Sequence, residues 1–320
     1  MVRYIIRRLL QAIPLLFLVT VFMFTLIHLL PGGPEQVLFN PHLSAAGRAA
    51  LRAHFGLDDP VYIQYFKWLG QSLTGNFGFS FANNLPVSEI LGQRFPATLE
   101  LFGLALLLAL VLAITLGVIS AVRQGTITDY SLTTVSYFGI AMPIFLFGLF
   151  AQWLFGVELH WLPTSGTETL GYTFTPLGTF IDRFEHIILP MSVLALSFIA
   201  GWSRYMRSSM IEVVKQDYMR TARAKGVGPV SILVKHALRN AVIPLITVVA
   251  LDFGAVAGGA TITEGVFAWP GMGLLFISSL QVRDYPVLLA MLMIGAVFVI
   301  SFNLIADILY AVMDPRIRYS

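Results

Sequence analysis

Long apolar runs separated by shorter polar stretches set the plan of this chain. Residues 9–30 are almost wholly apolar and follow Arg3, Arg7 and Arg8. At ~1.5 Å per residue, such a run is long enough to cross ~30 Å of hydrocarbon as one helix. Comparable runs recur at about 98–122, 132–155, 187–206, 241–262 and 287–309. Six transmembrane helices are therefore expected, in an all-α polytopic membrane protein with both termini on the same side. The first run is long for a signal-peptide core, and LLPGGPEQ offers no small-x-small cleavage site, so it reads as an uncleaved first span. The loop RQGTITDY after the second run is so short that runs two and three must form an antiparallel pair.

The polar stretches divide the chain further. Residues 1–30 are an N-terminal segment with the first span, 31–96 a large external loop region, and 97–320 a five-helix core interrupted by a polar loop at about 209–240. Within 31–96, HLSAAGRAALRAHFG reads as a short helix and PVYIQYFKWLGQSL as a second, amphipathic one. This region is either a docking surface for an external protein or a lid packed on its own helices, with Tyr62, Tyr65, Trp68 and Phe77 as interfacial aromatics. Residues 157–185 are expected outside, and WPGMGLLFISSLQVRDYP as an external turn or re-entrant piece.

Charge fixes the orientation. The inside segments hold Arg3, Arg7, Arg8, Arg123, Arg204, Arg207, Lys215, Arg220, Arg223, Lys225, Lys235, Arg239, Arg316 and Arg318, which is 14 of the 20 Lys and Arg. That bias places both termini in the cytoplasm; the reverse orientation would set most of the cations outside, against the positive-inside rule.

Composition agrees with the pattern. A mean hydropathy of +0.79, with 57% hydrophobic and 12% charged residues, exceeds what a soluble core can bury. The net charge of +3 is too small to suggest a nucleic-acid partner. There are no cysteines, hence no disulfides, thiolate metal ligands or cysteine nucleophile. His28, His186 and His236 lack metal-ligand spacing, so no metal site is expected.

The polar stretch SSMIEVVKQDYMRTARAKGVGPVSILVKHALRNAVIP, residues 209–244, carries the most information. Asp217 is placed to cap a short helix of good helix formers, YMRTARAK, that ends at Gly226. Gly228 and Pro229 then reset the chain for a second helix through Ile232, Leu233, His236 and Asn240. The resulting helix-turn-helix knuckle carries Arg220, Arg223, Lys225, Lys235 and Arg239. Tyr218, Met219, Ala222, Ile232 and Leu233 supply an apolar component. The cations alone fit lipid headgroups, whereas cations and apolar residues together fit a protein groove.

Arg220-Thr221-Ala222, three residues, then Gly226, resembles the EAA loop of the membrane subunits of ATP-binding-cassette importers. TARAKG followed by HALRNAVIP resembles the dipeptide, oligopeptide and nickel branch, although Arg220 and Thr221 replace the general motif's Glu and first Ala, and His236 and Arg239 replace its Ile and Pro. The opening MVRYIIRRLL, the segments GLDDPVYIQYFKWL and LTGNFGFSFANNLPV, and Glu264 ahead of Trp269-Pro270-Gly271-Met272-Gly273 extend the similarity over nearly the whole chain. Gly33 and Asn76 stand where acidic residues are more usual.

The resemblance implies a type I importer permease of a prokaryotic cytoplasmic (inner) membrane, forming half of a translocation path for di- or oligopeptides. Nickel complexes, glutathione or oligosaccharides are the alternative cargoes. It further implies a second homologous permease subunit, two cytoplasmic ATPase subunits holding ATP and Mg, and an external substrate-binding protein. Residues Tyr218, Met219, Arg220, Thr221, Ala222, Arg223, Ala224, Lys225 and Gly226 would be the loop that couples to the ATPases.

Inside the membrane, Asp252 is costly unless it faces water or a partner. It is either a pore-facing group or a buried hydrogen-bond partner of a neighbouring helix. Gly254 with Gly258, and Ala255 with Gly259, form small-xxx-small registers that permit close helix contact; the resemblance makes them interface or gate candidates, beside ordinary packing. Glu264 would lie at the outer mouth, meeting a peptide's amino terminus or pairing with Arg283. Glu100 and Asp307 are expected near helix ends, where solvation is cheap. No G-x-x-x-x-G-K-[ST], H-E-x-x-H or G-x-S-x-G is present, so the chain is expected to hold no ATP site and no catalytic residues of its own. A stand-alone channel or secondary carrier is the competing class, but no inverted repeat supports it.

Overall fold

The computed structural model describes residues 2–29, 58–172 and 174–313. The helices are α1 Val2–Leu29, α2 Val61–Leu73, α3 Val87–Val122, α4 Ile127–Ala141, α5 Ile144–Ala151, α6 Pro176–Val214, α7 Asp217–Ala224, α8 Pro229–Ser231, α9 Arg239–Gly254, α10 Thr261–Val266, α11 Met272–Gln281 and α12 Tyr285–Met313. Two π-helical segments, Gln152–Glu158 and Ile232–Leu238, follow α5 and α8, and a 3-10 turn Ala255–Gly258 follows α9. Among the described residues five helices are long and apolar enough to span a membrane, and a bent pair makes a sixth. The expected helix at HLSAAGRAALRAHFG and the basic tail lie outside the described residues.

The third apolar run departs from a straight span. α4 and the helix 144–158 meet at 102°, because Met142 precedes Pro143 and takes extended backbone (φ −81°, ψ 124°). The proline ring crowds the preceding residue out of the helical region. The other spans exceed their apolar cores. α3 begins at Val87 and α6 at Pro176, where Thr175 accepts the Gly178 N–H and Pro176 fills the first helical position. The fifth span runs from Pro229 to Gly258 with its last turn 3-10, so the polar loop's second arm continues into it.

One compact unit gathers α1, α2, the first turns of α3, residues 255–261 and residues 270–300. Here Phe24 and Ile27 of α1 pack with Tyr65 of α2 and Leu288 and Leu289 of α12. Tyr65 is buried and shares a 2.9 Å hydrogen bond with the Thr20 hydroxyl, so it is a packing residue and not the interfacial aromatic expected. Phe77 packs against the cluster of Val87, Ile90, Met272 and Met291. Tyr62 is 65% exposed. Two polar contacts join distant stretches: buried Asp284 accepts the Ser80 hydroxyl and the Phe81 N–H (3.0 Å), and the Thr98 hydroxyl accepts the Met272 N–H (2.7 Å) at the start of α11.

The second unit gathers the rest of α3, α4 to α9, residues 262–269 and the last turns of α12. α6 is its axis, packed by α4, α5 and α9. Gly117 of α3 lies where a Cβ would sit 2.6 Å from the Met206 Cβ, so only glycine permits this approach to α6. Glu100 sits well inside α3, not near its end as expected, and the Arg183 guanidinium clasps its carboxylate through Nε (2.9 Å) and Nη2.

Candidate functional site

α7 is eight residues long, too short to persist on its own, and its surroundings hold it. Gln216 is the residue that enters the helix and Asp217 is already its first turn, with a side chain 98% exposed; the expected Asp217 cap does not form. Its ion pair with Arg220, at 3.8 Å and fully solvated, contributes little. The other end is well defined. Gly226 takes φ +75°, its N–H donates to the Arg223 carbonyl (3.0 Å), and the Val227 N–H donates to the Ala222 carbonyl (3.3 Å). Together these two bonds form a Schellman turn, which requires the left-handed residue.

Helical spacing divides the segment into two faces. Met219 and Ala222, three apart, point inward; Met219 is completely buried and Ile232 nearly so. These residues were expected to need a partner groove, but their apolar surface is covered within this chain. Burying Met219 contributes about 1.5–3 kcal/mol to seating α7. The outward face holds Tyr218, Arg220, Thr221, Arg223, Ala224 and Lys225. Tyr218 is tied back to α9 by the Asn240 amide, which donates to its hydroxyl at 3.2 Å. Behind α7 lies a cleft of about 440 Å³, lined by Val122, Met210, Val214, Met219, Arg223 and Leu233. The helix thus rests on a few anchors over a partly open floor.

A buried network sits where α3, α4 and α6 meet. Asp129, 2% exposed, accepts from Arg207 Nε (2.7 Å) and Nη2 (2.8 Å), from the Ser120 hydroxyl and from the Gly125 N–H (2.9 Å). Arg207 Nε also reaches Ser120 Oγ at 3.1 Å. One bidentate, charge-assisted pair therefore fixes the short α3–α4 turn against α6, about three turns before α7. Sequence reading counted Arg207 only as an inside cation and gave Asp129 no role. The pairing spans 78 positions, beyond the reach of any local pattern.

The membrane-embedded candidates fall into different places. Asp252 is half-buried and accepts the Trp202 indole N–H from α6 at 2.8 Å. Asp252→Asn keeps an acceptor and is expected to leave the thermal unfolding midpoint of the purified chain unchanged. Asp252→Leu strands the buried indole N–H and is expected to cost about 1–3 kcal/mol. An unchanged midpoint in both would remove the structural role.

Gly254 is buried at the end of α9, but Gly258 closes a 3-10 turn and Gly259 has φ +73°. The expected small-xxx-small registers are therefore broken, because the helix face ends before their second members. Glu264 lies fully buried on α10, closed to solvent in this conformation. Gln152 was missed by the sequence reading; its amide donates to the carbonyls of Thr164 (2.7 Å) and Val266 (2.9 Å), holding the 261–269 segment beside α5. Its position in an apolar run was the available signal, since a lone amide there must find partners.

Comparison with known proteins agrees with this architecture. Residues 113–319 match the model for a binding-protein-dependent transport system inner membrane component, and residues 1–102 match the corresponding N-terminal model. The oligopeptide transport system permease protein AppB of Bacillus subtilis (strain 168) is 46% identical over 320 residues, covering 100% of both chains. The glutathione transport system permease protein GsiC of Escherichia coli (strain K12) is 38% identical over 319 residues, again covering 100% of both.

Proposed function

The chain belongs to the family of binding-protein-dependent transport system inner membrane components, and from that premise we propose that it forms half of the translocation path of an ATP-driven importer of di- and oligopeptides. Family membership makes it a multi-pass inner-membrane transport subunit that works with an ATPase and a substrate-binding protein. The finer assembly is a second homologous permease and two cytoplasmic ATPases, which hold ATP and Mg. The peptide cargo rests on the permease named for oligopeptides at 46% identity, against 38% for the one named for glutathione.

The coupling reading is carried by α7. Its apolar face is anchored in its own chain, its cationic face is open, and Gly226 fixes where it ends. Such an element suits a groove on an ATPase, because it can transmit displacement to α6 and α9 without unfolding. Nucleotide binding would move α7, and the membrane helices would exchange between outward-open and inward-open arrangements. Coupling of this kind requires that peptide and nucleotide each bind the two arrangements with unequal affinity.

The test is to purify the tagged chain from its native membrane in mild detergent and identify its companions by mass spectrometry. Recovery of a second permease and of ATPases with Walker motifs is expected. A chain recovered alone or as a homo-oligomer, still moving solute in ATP-free liposomes, would overturn the reading in favour of a channel or carrier.

A further inference from the structure

At the seam of α4 and α6, on the side of α6 away from α9, lies a polar cavity of about 410 Å³ lined by Thr133, Tyr137, Arg204, Tyr205, Arg207 and Ser208. The side follows from helical spacing. Trp202 faces α9 through Asp252, and Arg204, two positions on, is rotated by about 200°. The seam itself is closed by the Ser136 and Ser203 hydroxyls, 3.1 Å apart.

Of the two arginines, Arg207 is matched by Asp129. Arg204 has no carboxylate partner among the described residues; its guanidinium lies 4.5 Å over the Tyr137 ring and is open to the cavity. An exposed cation on a spanning helix, a turn from a buried ion pair, calls for an anion from outside the chain. One turn beyond Tyr137 on the same face of α4, the apolar Ile140 is 49% exposed. Tyr137 and Tyr205, each 54% exposed, add the aromatic character of a membrane interface.

We propose that this cavity binds the phosphate of an anionic phospholipid, with Arg204 as the principal ligand, Ser208 as a hydroxyl donor, and the acyl chains lying along Ile140 of α4. The leaflet rests on the cytoplasmic orientation proposed above; the chemistry of the pocket does not. Orientation can be read separately, since the chain has no cysteine: a Gln124→Cys variant reports by impermeant labelling which side the α3–α4 turn faces.

The test uses the assembled transporter in nanodiscs of phosphatidylglycerol mixed with phosphatidylcholine, followed by native mass spectrometry of retained lipid. Wild type is expected to retain phosphatidylglycerol selectively. Arg204→Gln is expected to retain about tenfold less, and Arg204→Lys an intermediate amount. Because Arg204 lies outside the Asp129 network, Arg204→Gln should keep the wild-type unfolding midpoint; if it does not, Ser208→Ala gives the same readout at a position that carries no charge. Equal retention of both lipids, or undiminished selectivity in these variants, overturns the proposal. Displacement of the lipid by millimolar inorganic phosphate would assign the pocket to a soluble anion and overturn it equally. Loss of selectivity caused by the second permease covering Arg204 would do the same.

Discussion

Gly226→Val is expected to abolish peptide uptake while leaving the protein inserted and assembled. The position has φ +75°, and a Cβ built there meets nothing within 4 Å, so the obstacle is the backbone and not space. A β-branched residue in the left-handed region pays about 1–3 kcal/mol of strain. The whole helix it terminates is eight residues long, so the strain is relieved most easily by opening the Schellman turn. α7 then loses its fixed end, and nucleotide hydrolysis loses its grip on the membrane helices. Gly226→Asn is the matched control, since asparagine enters this region readily, and it is expected to stay near wild type. Uptake and peptide-stimulated hydrolysis, measured side by side in proteoliposomes, decide the matter. Normal stimulated hydrolysis in the valine variant would count against the coupling role.

Asp129→Ala is expected to be the most damaging change to stability. It leaves Arg207 with an unmatched charge beside Ser120 and frees the Gly125 N–H that holds the α3–α4 turn. Breaking one side of a buried pair costs about 3–5 kcal/mol, whereas replacing both partners with apolar residues is often neutral. Asp129→Ala should therefore lower yield and unfolding midpoint sharply, and the double change Asp129→Leu with Arg207→Met should recover most of the loss. Thermal unfolding of the detergent-solubilised complex reads both. A double variant as unstable as the single one would show that the pair acts through something other than charge balance.

Much of this architecture was legible because the bilayer imposes one dominant pattern. Apolar runs of about twenty residues and a glycine where the backbone needs positive φ are local signals: five of the runs lie in helices long enough to span, and Gly226 ends α7 as expected. What stayed hidden is non-local or geometrically subtle. Continuous hydrophobicity across 132–155 masked the break at Met142-Pro143, although the proline itself was in view. Spans run past the apolar core because flanking segments extend the same helix, and hydropathy marks only the part that sits in lipid. The π-helical turns have no compositional signature. Asp217 fell one place inside the helix instead of capping it, a shift that local preference does not resolve. Asp129 looked like loop polarity until Arg207 was brought to it, and Asp284 until Ser80 was.

α6 is 39 residues long, about 58 Å, nearly twice the hydrocarbon thickness. Pro190 removes one backbone bond near its middle, the one that would reach the His186 carbonyl. The stretch from Pro190 to Val214 is then an unbroken arm of about 36 Å with α7 attached just beyond its tip. Pivoting it through about 10° sweeps the tip by about 6 Å, roughly the height of one helical turn. On the coupling reading proposed above, α6 would be a crank turning on that proline, and a small angle there would become a stroke of that length at α7.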